Sequence, residues 1–211
     1  MIKTEVRYLA NDFLIDDLAN DNWNLAEEIH IDNYWSGEKA PTERHLKARL
    51  LWSDTTLYVC FAAKQAEPLV MSDLPNLTSK TDGLWDRDVC EIFIAPDQSE
   101  PHKYFEFEVA PNGEWLDLAI NLTDSERKTD RNYKSGMQSC AKIDESKVQI
   151  AAKIEWEAFG STPRAGDIWL GNLFRCIGKD PDRGYLAWSP TYTELPNFHV
   201  PDSFGQFKFI K

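Results

Sequence analysis

Apolar and polar residues alternate with a period of two through most of this chain, in short runs separated by Gly, Pro, Asn, Asp and Ser. That is the signature of β-strands joined by turns. The stretch around which the rest is organised is Gly83 to Pro96, G-L-W-D-R-D-V-C-E-I-F-I-A-P. It opens with an indole in a charged turn and continues as a short apolar strand that carries one carboxylate. Successive side chains of a strand point to opposite faces. Cys90, Ile92 and Ile94 therefore form one row, read as the core side, and Val89, Glu91 and Phe93 form the other. Trp85 and Arg87 share the parity of Glu91. If the extended conformation runs back through the turn, an indole, a guanidinium and a carboxylate converge on the less buried side, an arrangement suited to a polar ligand with an apolar face.

The other elements follow from the same pattern. Residues 1–48 read as an irregular entry, with a short helical turn at Trp23 and a strand at I-H-I. A-R-L-L-W and L-Y-V-C-F-A-A, separated by S-D-T-T, form a hairpin. Pro68 to Gly83 is a loop that delivers the chain to Trp85. K-Y-F-E-F-E-V-A places Phe105, Phe107 and Val109 on one face and Tyr104, Glu106 and Glu108 on the other; P-N-G-E turns it into W-L-D-L-A-I-N. Thr123 to Ser135 reads as a charged loop. A hairpin spans Cys140 to Ile154, a helical turn closes at Gly160, and strands follow at D-I-W-L-G-N-L-F-R-C-I-G, Y-L-A-W and F-G-Q-F-K-F-I-K. With almost no helical period, the expected fold is all-β, an antiparallel β-sandwich of immunoglobulin-like or jelly-roll type, formed by residues 1–211 as one domain.

Composition narrows the functional classes. Apolar residues make up 42% and charged residues 27% of the 211, ordinary for a folded globular chain. A net charge of −12 with no basic patch argues against nucleic acid as a partner, and no apolar run is long enough to span a membrane as a helix. The N-terminus, M-I-K-T-E-V-R-Y-L, lacks the apolar region and cleavage site of a secretory signal, so the chain as written is expected to stay in the cytoplasm. The four cysteines, Cys60, Cys90, Cys140 and Cys176, are widely spaced and mostly within strand-like runs, which favours free thiols over disulfides and offers no zinc spacing.

Trp85 and Trp188 end strand-like runs in polar surroundings, and two indoles can clamp the apolar faces of a pyranose ring while side chains bond its rim. Trp52, Trp156 and Trp169, in apolar context, are read as core. Glu91, Glu106 and Glu108 share the non-core parity of neighbouring strands. They suit hydroxyl bonding or solvation, with paired-carboxylate glycoside hydrolysis as the alternative. Arg175 either meets these carboxylates or a ligand, or forms a structural ion pair. No nucleophile motif, phosphate-cradling loop or metal-ligand spacing is present, so no catalytic residue, metal ligand or cofactor is assigned. The oxygen-rich stretches Asp16 to Asp21 and Asp180 to Arg183 are the candidates for a structural calcium ion. A haem-binding sandwich, with Met71 or Met137 and a histidine as iron ligands, is a further alternative.

Taken in order, W-D-R-D-V-C-E-I-F-I-A-P, Y-F-E-F-E-V-A-P-N-G-E-W-L-D, W-L-G-N-L-F-R, L-A-W-S-P-T and F-H-V-P-D-S-F-G-Q-F-K-F resemble the family 9 carbohydrate-binding modules, especially the stand-alone branch, from about Leu14 to Ile210. The resemblance implies a β-sandwich that binds a mono- or oligosaccharide without catalysis, often the reducing end of a glucan or xylan chain, between two tryptophans. By motif these are Trp85 and Trp188, with Glu91, Asn172 and Arg175 bonding hydroxyls at the rim. Such relatives can place a basic residue where this chain has Glu106 and Glu108, and they are usually parts of secreted glycosidases.

Overall fold

The computed structural model describes residues 1–211. Its strands are β1 (Lys3–Tyr8), β2 (Ile29–Ile31), β3 (Asn33–Tyr34), β4 (Leu46–Trp52), β5 (Thr56–Lys64), β6 (Val89–Ala95), β7 (Lys103–Val109), β8 (Trp115–Leu122), β9 (Arg127–Asp130), β10 (Gln138–Asp144), β11 (Lys147–Glu155), β12 (Ile168–Ile177), β13 (Gly184–Ala187) and β14 (Gly205–Ile210). The only helical elements are short 3₁₀ turns, and no helix is long and apolar enough to cross a membrane.

The three expected hairpins form: β4–β5 across Ser53 to Thr55, β7–β8 across the P-N-G-E turn, and β10–β11. Gly113 closes the second at φ 87°, a conformation that costs a side-chain-bearing residue steric energy. The turn before Gly160 is a 3₁₀ helix, Trp156–Phe159.

The nearly all-β expectation holds, but the sheet is mixed rather than purely antiparallel. Its strands run β10-β11-β5-β4-β1-β14-β12-β6-β7-β8-β9 in one hydrogen-bonded path. The parallel pairs lie at its centre, where β1 joins β14 on one side and β4 on the other. The supposed irregular entry therefore supplies a central strand: K-T-E-V-R-Y alternates exposed and buried residues along its length. The charged segment after Leu122 likewise contributes a strand, β9, which pairs with β8.

The sheet curls so that its two halves share one core. Leu50, Val59 and Ile150 from the β4–β5–β11 half belong to the same buried cluster as Ile92, Phe107 and Leu173 from the β6–β7–β12 half. Burying that apolar surface drives the closure. Trp52, Trp156 and Trp169 lie in this core, as expected, between 3% and 4% exposed. Gly171 allows the tightest approach: a Cβ there would lie 2.3 Å from the carbonyl oxygen of Phe93 and 2.4 Å from the Phe207 ring.

Both outer faces are covered as well. Trp23, Leu9 and Ile15 from the N-terminal segment pack on Leu51, Tyr58 and Ala151. Phe198 and Phe204, from the segment before β14, pack on Phe93, Tyr104 and Phe174. This second covering explains why every residue of β6 is buried. Cys60, Cys90 and Cys176 are buried free thiols, and Cys140 is a partly buried one.

Candidate functional site

Against the covered face of β6, β7 and β8 lies a cleft of about 270 Å³. Its floor comes from strand parity. Glu91 and Phe93 of β6, Glu106 of β7, Leu118 of β8 and Cys176 of β12 all project to this side. Its walls come from four separate segments: the Trp85 turn, the Arg127 to Arg131 strand and its exit, Tyr185 on β13, and the stretch Pro196 to His199.

Trp85 sits in a 3₁₀ turn, Leu84–Asp86, half-buried at the edge of the cleft. Arg183 fixes that turn, donating hydrogen bonds to the carbonyl oxygens of Trp85 and Arg87 at 2.7 Å each and of Gly178 at 2.6 Å. The same guanidinium lies over the Tyr185 ring, 5.4 Å from its centroid. Arg131, ion-paired with Asp82, lies 5.7 Å from the centroid of the Trp85 ring. Cation–π contacts of this kind hold an aromatic plate in place. On the far wall Phe198 stacks on Phe174 at 4.0 Å, and His199 Nδ1 lies 2.7 Å from the Tyr104 hydroxyl.

The floor is electrostatically unusual. Glu91 and Glu108 are direct cross-strand partners, and Glu106 faces the same way one pleat along β7. Burial, reinforced by the charge of Glu106, pushes the Glu91 carboxyl up to about 8. Burial also raises Glu106, and it raises Glu108 well above the carboxylate range, with Glu91 and Glu106 adding to the effect. The Cys176 thiol, itself pushed far up by burial, donates to Glu91 Oε1 at 3.4 Å. Burial lowers His199 to about 3, with the positive charge of Arg127 a second cause, so its imidazole is neutral. An exposed-edged indole over a floor of buried carboxyl groups matches a ligand with one apolar face and a polar rim.

Of the residues singled out from the sequence, Trp85, Glu91 and Glu106 line this cleft and Glu108 lies behind them, fully buried. The other four are elsewhere. Trp188 is 5% exposed in the main core, stacked on Phe207 with ring centroids 5.5 Å apart, so it cannot face Trp85 across a ligand. Its parity with Leu186, another core residue, was the available signal; Tyr185, of opposite parity, is the β13 residue in the cleft. Asn172 is wholly buried, with its amide donating to the Ser189 carbonyl and accepting from the Ser189 and Leu173 amides. Arg175 opposes Cys90 rather than Glu91 in register, so it projects to the opposite face. There it donates to the Arg44 and Lys64 carbonyls and to Gln65. Arg87 leaves the strand parity because the 3₁₀ turn intervenes, and it pairs with Glu114 at 2.7 Å.

Tyr185, Arg131, Phe198 and His199 were not singled out. They reach the cleft only through long-range packing of β13, the exit of β9 and the stretch Pro196 to His199, which leave no local pattern. The stretch Asp180 to Arg183 is engaged by Arg44, which donates to the Asp182 carbonyl, and through the Arg183 clamp. Met137 lies in the main core and His199 beside the cleft on the opposite face of the sheet, so they do not form a pair.

Comparison with known proteins places this geometry among its relatives. Residues 15–211 match the model of the family described as "Carbohydrate family 9 binding domain-like". A protein of Arthroderma benhamiae named only as an extracellular protein is 24% identical over 176 residues, 77% of each chain. Two solved structures share the fold. A candidate carbohydrate-binding protein from Bacteroides uniformis aligns with a TM-score of 0.78 at 17% identity, covering 99% of both chains. A family 9 carbohydrate-binding module from Caldicellulosiruptor kristjanssonii, solved with cellotriose, aligns at 0.71 and 19% identity, covering 99% of this chain and 93% of that one.

Proposed function

The chain belongs to the carbohydrate family 9 binding domain-like family, and on that premise we propose that it binds carbohydrate without catalysis, in the cleft bounded by Trp85, Tyr185 and Phe198. The observation that carries this reading is the juxtaposition of the half-exposed Trp85 indole with Glu91 and Glu106 in one cleft. The indole offers an apolar plate to the C–H face of a pyranose, and the carboxyl groups bond its hydroxyls. The cleft volume of about 270 Å³ suits one or two sugar rings, hence a chain end or a short oligosaccharide. The family module solved with cellotriose, and a second structure of a family module from the same organism solved with glucose, make β-glucans the first ligands to test. Curled around its shared core, the sheet is read as a jelly-roll-like scaffold for this site.

This reading differs from a two-tryptophan clamp. One indole faces a wall of Tyr185 and Phe198, because Trp188 is committed to the core. Glycoside hydrolysis is the less favoured reading. It needs two carboxyl groups flanking the scissile bond, whereas Glu91, Glu106 and Glu108 sit side by side on adjacent strands.

Isothermal titration with glucose, cellobiose, cellotriose, xylobiose and reduced cellobiose tests the proposal. Saturable heat with the cello-oligosaccharides supports it, and loss of binding on reduction of cellobiose identifies the reducing end as the group recognised. No heat with any member of the panel overturns it.

A further inference from the structure

The three carboxyl groups of the cleft floor have no cation of the protein's own. Nearby acids of the same sheet do: Glu114 pairs with Arg87 at 2.7 Å and Asp117 with Lys80 at 2.9 Å. In contrast, no donor outside the acidic cluster reaches Glu106 Oε2 or either oxygen of Glu108, which have only each other's carboxyl groups, and Glu108 is 0% exposed. Leaving a buried acidic group in that state is costly unless something else satisfies it. Arg127, on the cleft wall, is exposed and forms no ion pair with the three, and the neutral His199 adds no charge.

The geometry describes what would satisfy them. One oxygen from each of Glu91, Glu106 and Glu108 lies within 4.8 Å of the other two. Three oxygens that close can meet around a single ion, since calcium holds its ligand oxygens at about 2.3–2.6 Å. The donors are all carboxylate oxygens, the set that selects hard cations over zinc or copper. Glu108 supplies the second, independent indication, because both of its oxygens are wholly buried and reached by no donor outside the cluster, and one of them lies within reach of the other two carboxyl groups.

We propose that Glu91, Glu106 and Glu108 form a binding site for a hard divalent cation, calcium in the first instance, set into the floor of the cleft. Three carboxylates supply the protein ligands, and the positions on the side where Glu91 and Glu106 line the cleft are left for water or for a ligand hydroxyl. Only the role of that hydroxyl rests on the carbohydrate reading; the cation site stands without it.

The test therefore uses metal alone. The protein is stripped with chelator and titrated with calcium chloride by calorimetry, and with terbium(III) by luminescence sensitised through the aromatic side chains around the cleft. Thermal melts are recorded with and without calcium. One saturable site is expected, with calcium displacing terbium and raising the melting temperature. Glu108→Gln keeps the shape of the side chain and removes the charge. It is expected to stay folded, to lose the calcium-dependent rise in melting temperature, and to weaken binding by roughly 100-fold, since even outer-shell changes at metal sites cost about 10–100-fold. Asp144→Asn with Glu145→Gln, at the exposed end of the β10–β11 hairpin, is expected to change nothing. Absence of saturable binding in the wild type overturns the proposal, as does a Glu108→Gln variant that binds as tightly as the wild type, or loss of binding in the Asp144 and Glu145 variant.

Discussion

Glu91 of β6 and Glu108 of β7 stand directly opposite each other in the ladder, two buried carboxyl groups where cross-strand pairs are normally apolar or of opposite charge. Nothing in the packing of the surrounding apolar cluster requires an acid at either position. Without a bound cation, the pair weakens the fold.

Replacing Glu108 by Leu in the presence of chelator is accordingly expected to stabilise the protein. Removing a buried acid that no donor outside its own acidic cluster satisfies returns about 1–3 kcal/mol. Urea denaturation of wild type and variant measures it; a variant less stable than the wild type would show that Glu108 is satisfied in the metal-free fold.

Trp85 and Trp188 separate function from folding. Trp188→Ala opens a cavity against Phe207 in the main core and is expected to cost about 3–5 kcal/mol. Trp85→Ala removes a half-exposed ring and is expected to leave the denaturation midpoint within about 1 kcal/mol of wild type. Equal losses for the two would place Trp85 in the core.

His199 makes the fold sensitive to acid. Its folded-state value of about 3 lies below the ordinary 6.5, so the unfolded chain takes up the proton first. The contribution of the neutral imidazole is complete above the ordinary value and is lost as pH falls from there toward 3. Once protonated, the ring can only donate to the Tyr104 hydroxyl, 2.7 Å from Nδ1. The difference in stability between wild type and His199→Gln, measured by urea titration from about pH 7 to pH 4, is expected to shrink as pH falls. A constant difference would remove His199 from the account.

Arg183 holds the Trp85 turn through two donated hydrogen bonds, to the Trp85 and Arg87 carbonyls, and anchors itself with a third to Gly178. Arg183→Ala is expected to lower stability by on the order of 2 kcal/mol and to red-shift the tryptophan emission as the Trp85 indole gains water. Unchanged emission would mean that the turn holds itself.

Strand parity made much of this legible in the sequence. It sorted Cys90, Ile92 and Ile94 from Val89, Glu91 and Phe93, and did the same for β7, so the grouping of Glu91, Glu106 and Glu108 on one face was readable. Their depth was not. Alternation marks two faces but does not say that a distant segment, here Phe198 to Phe204, covers the second. Trp188 was misplaced because its polar flanks, W-S-P-T, outweighed its parity with Leu186. Arg87 was misplaced because a 3₁₀ turn breaks the period of two that an extended strand would have kept. β1 was missed because a short amphipathic run at a chain start gains its central position from distant partners, β4 on one side and β14, at the other end of the chain, on the other.

The central claim is that Trp85 and the carboxyl floor bind a sugar together, and parallel calorimetric titrations of wild type and Trp85→Ala with cellotriose test it most directly. The account predicts one saturable site in the wild type and, in the folded variant, a loss of at least 2 kcal/mol of binding free energy, about 30-fold in affinity, as for a central aromatic anchor. Equal affinity in the two proteins, or no binding by the wild type, would contradict it.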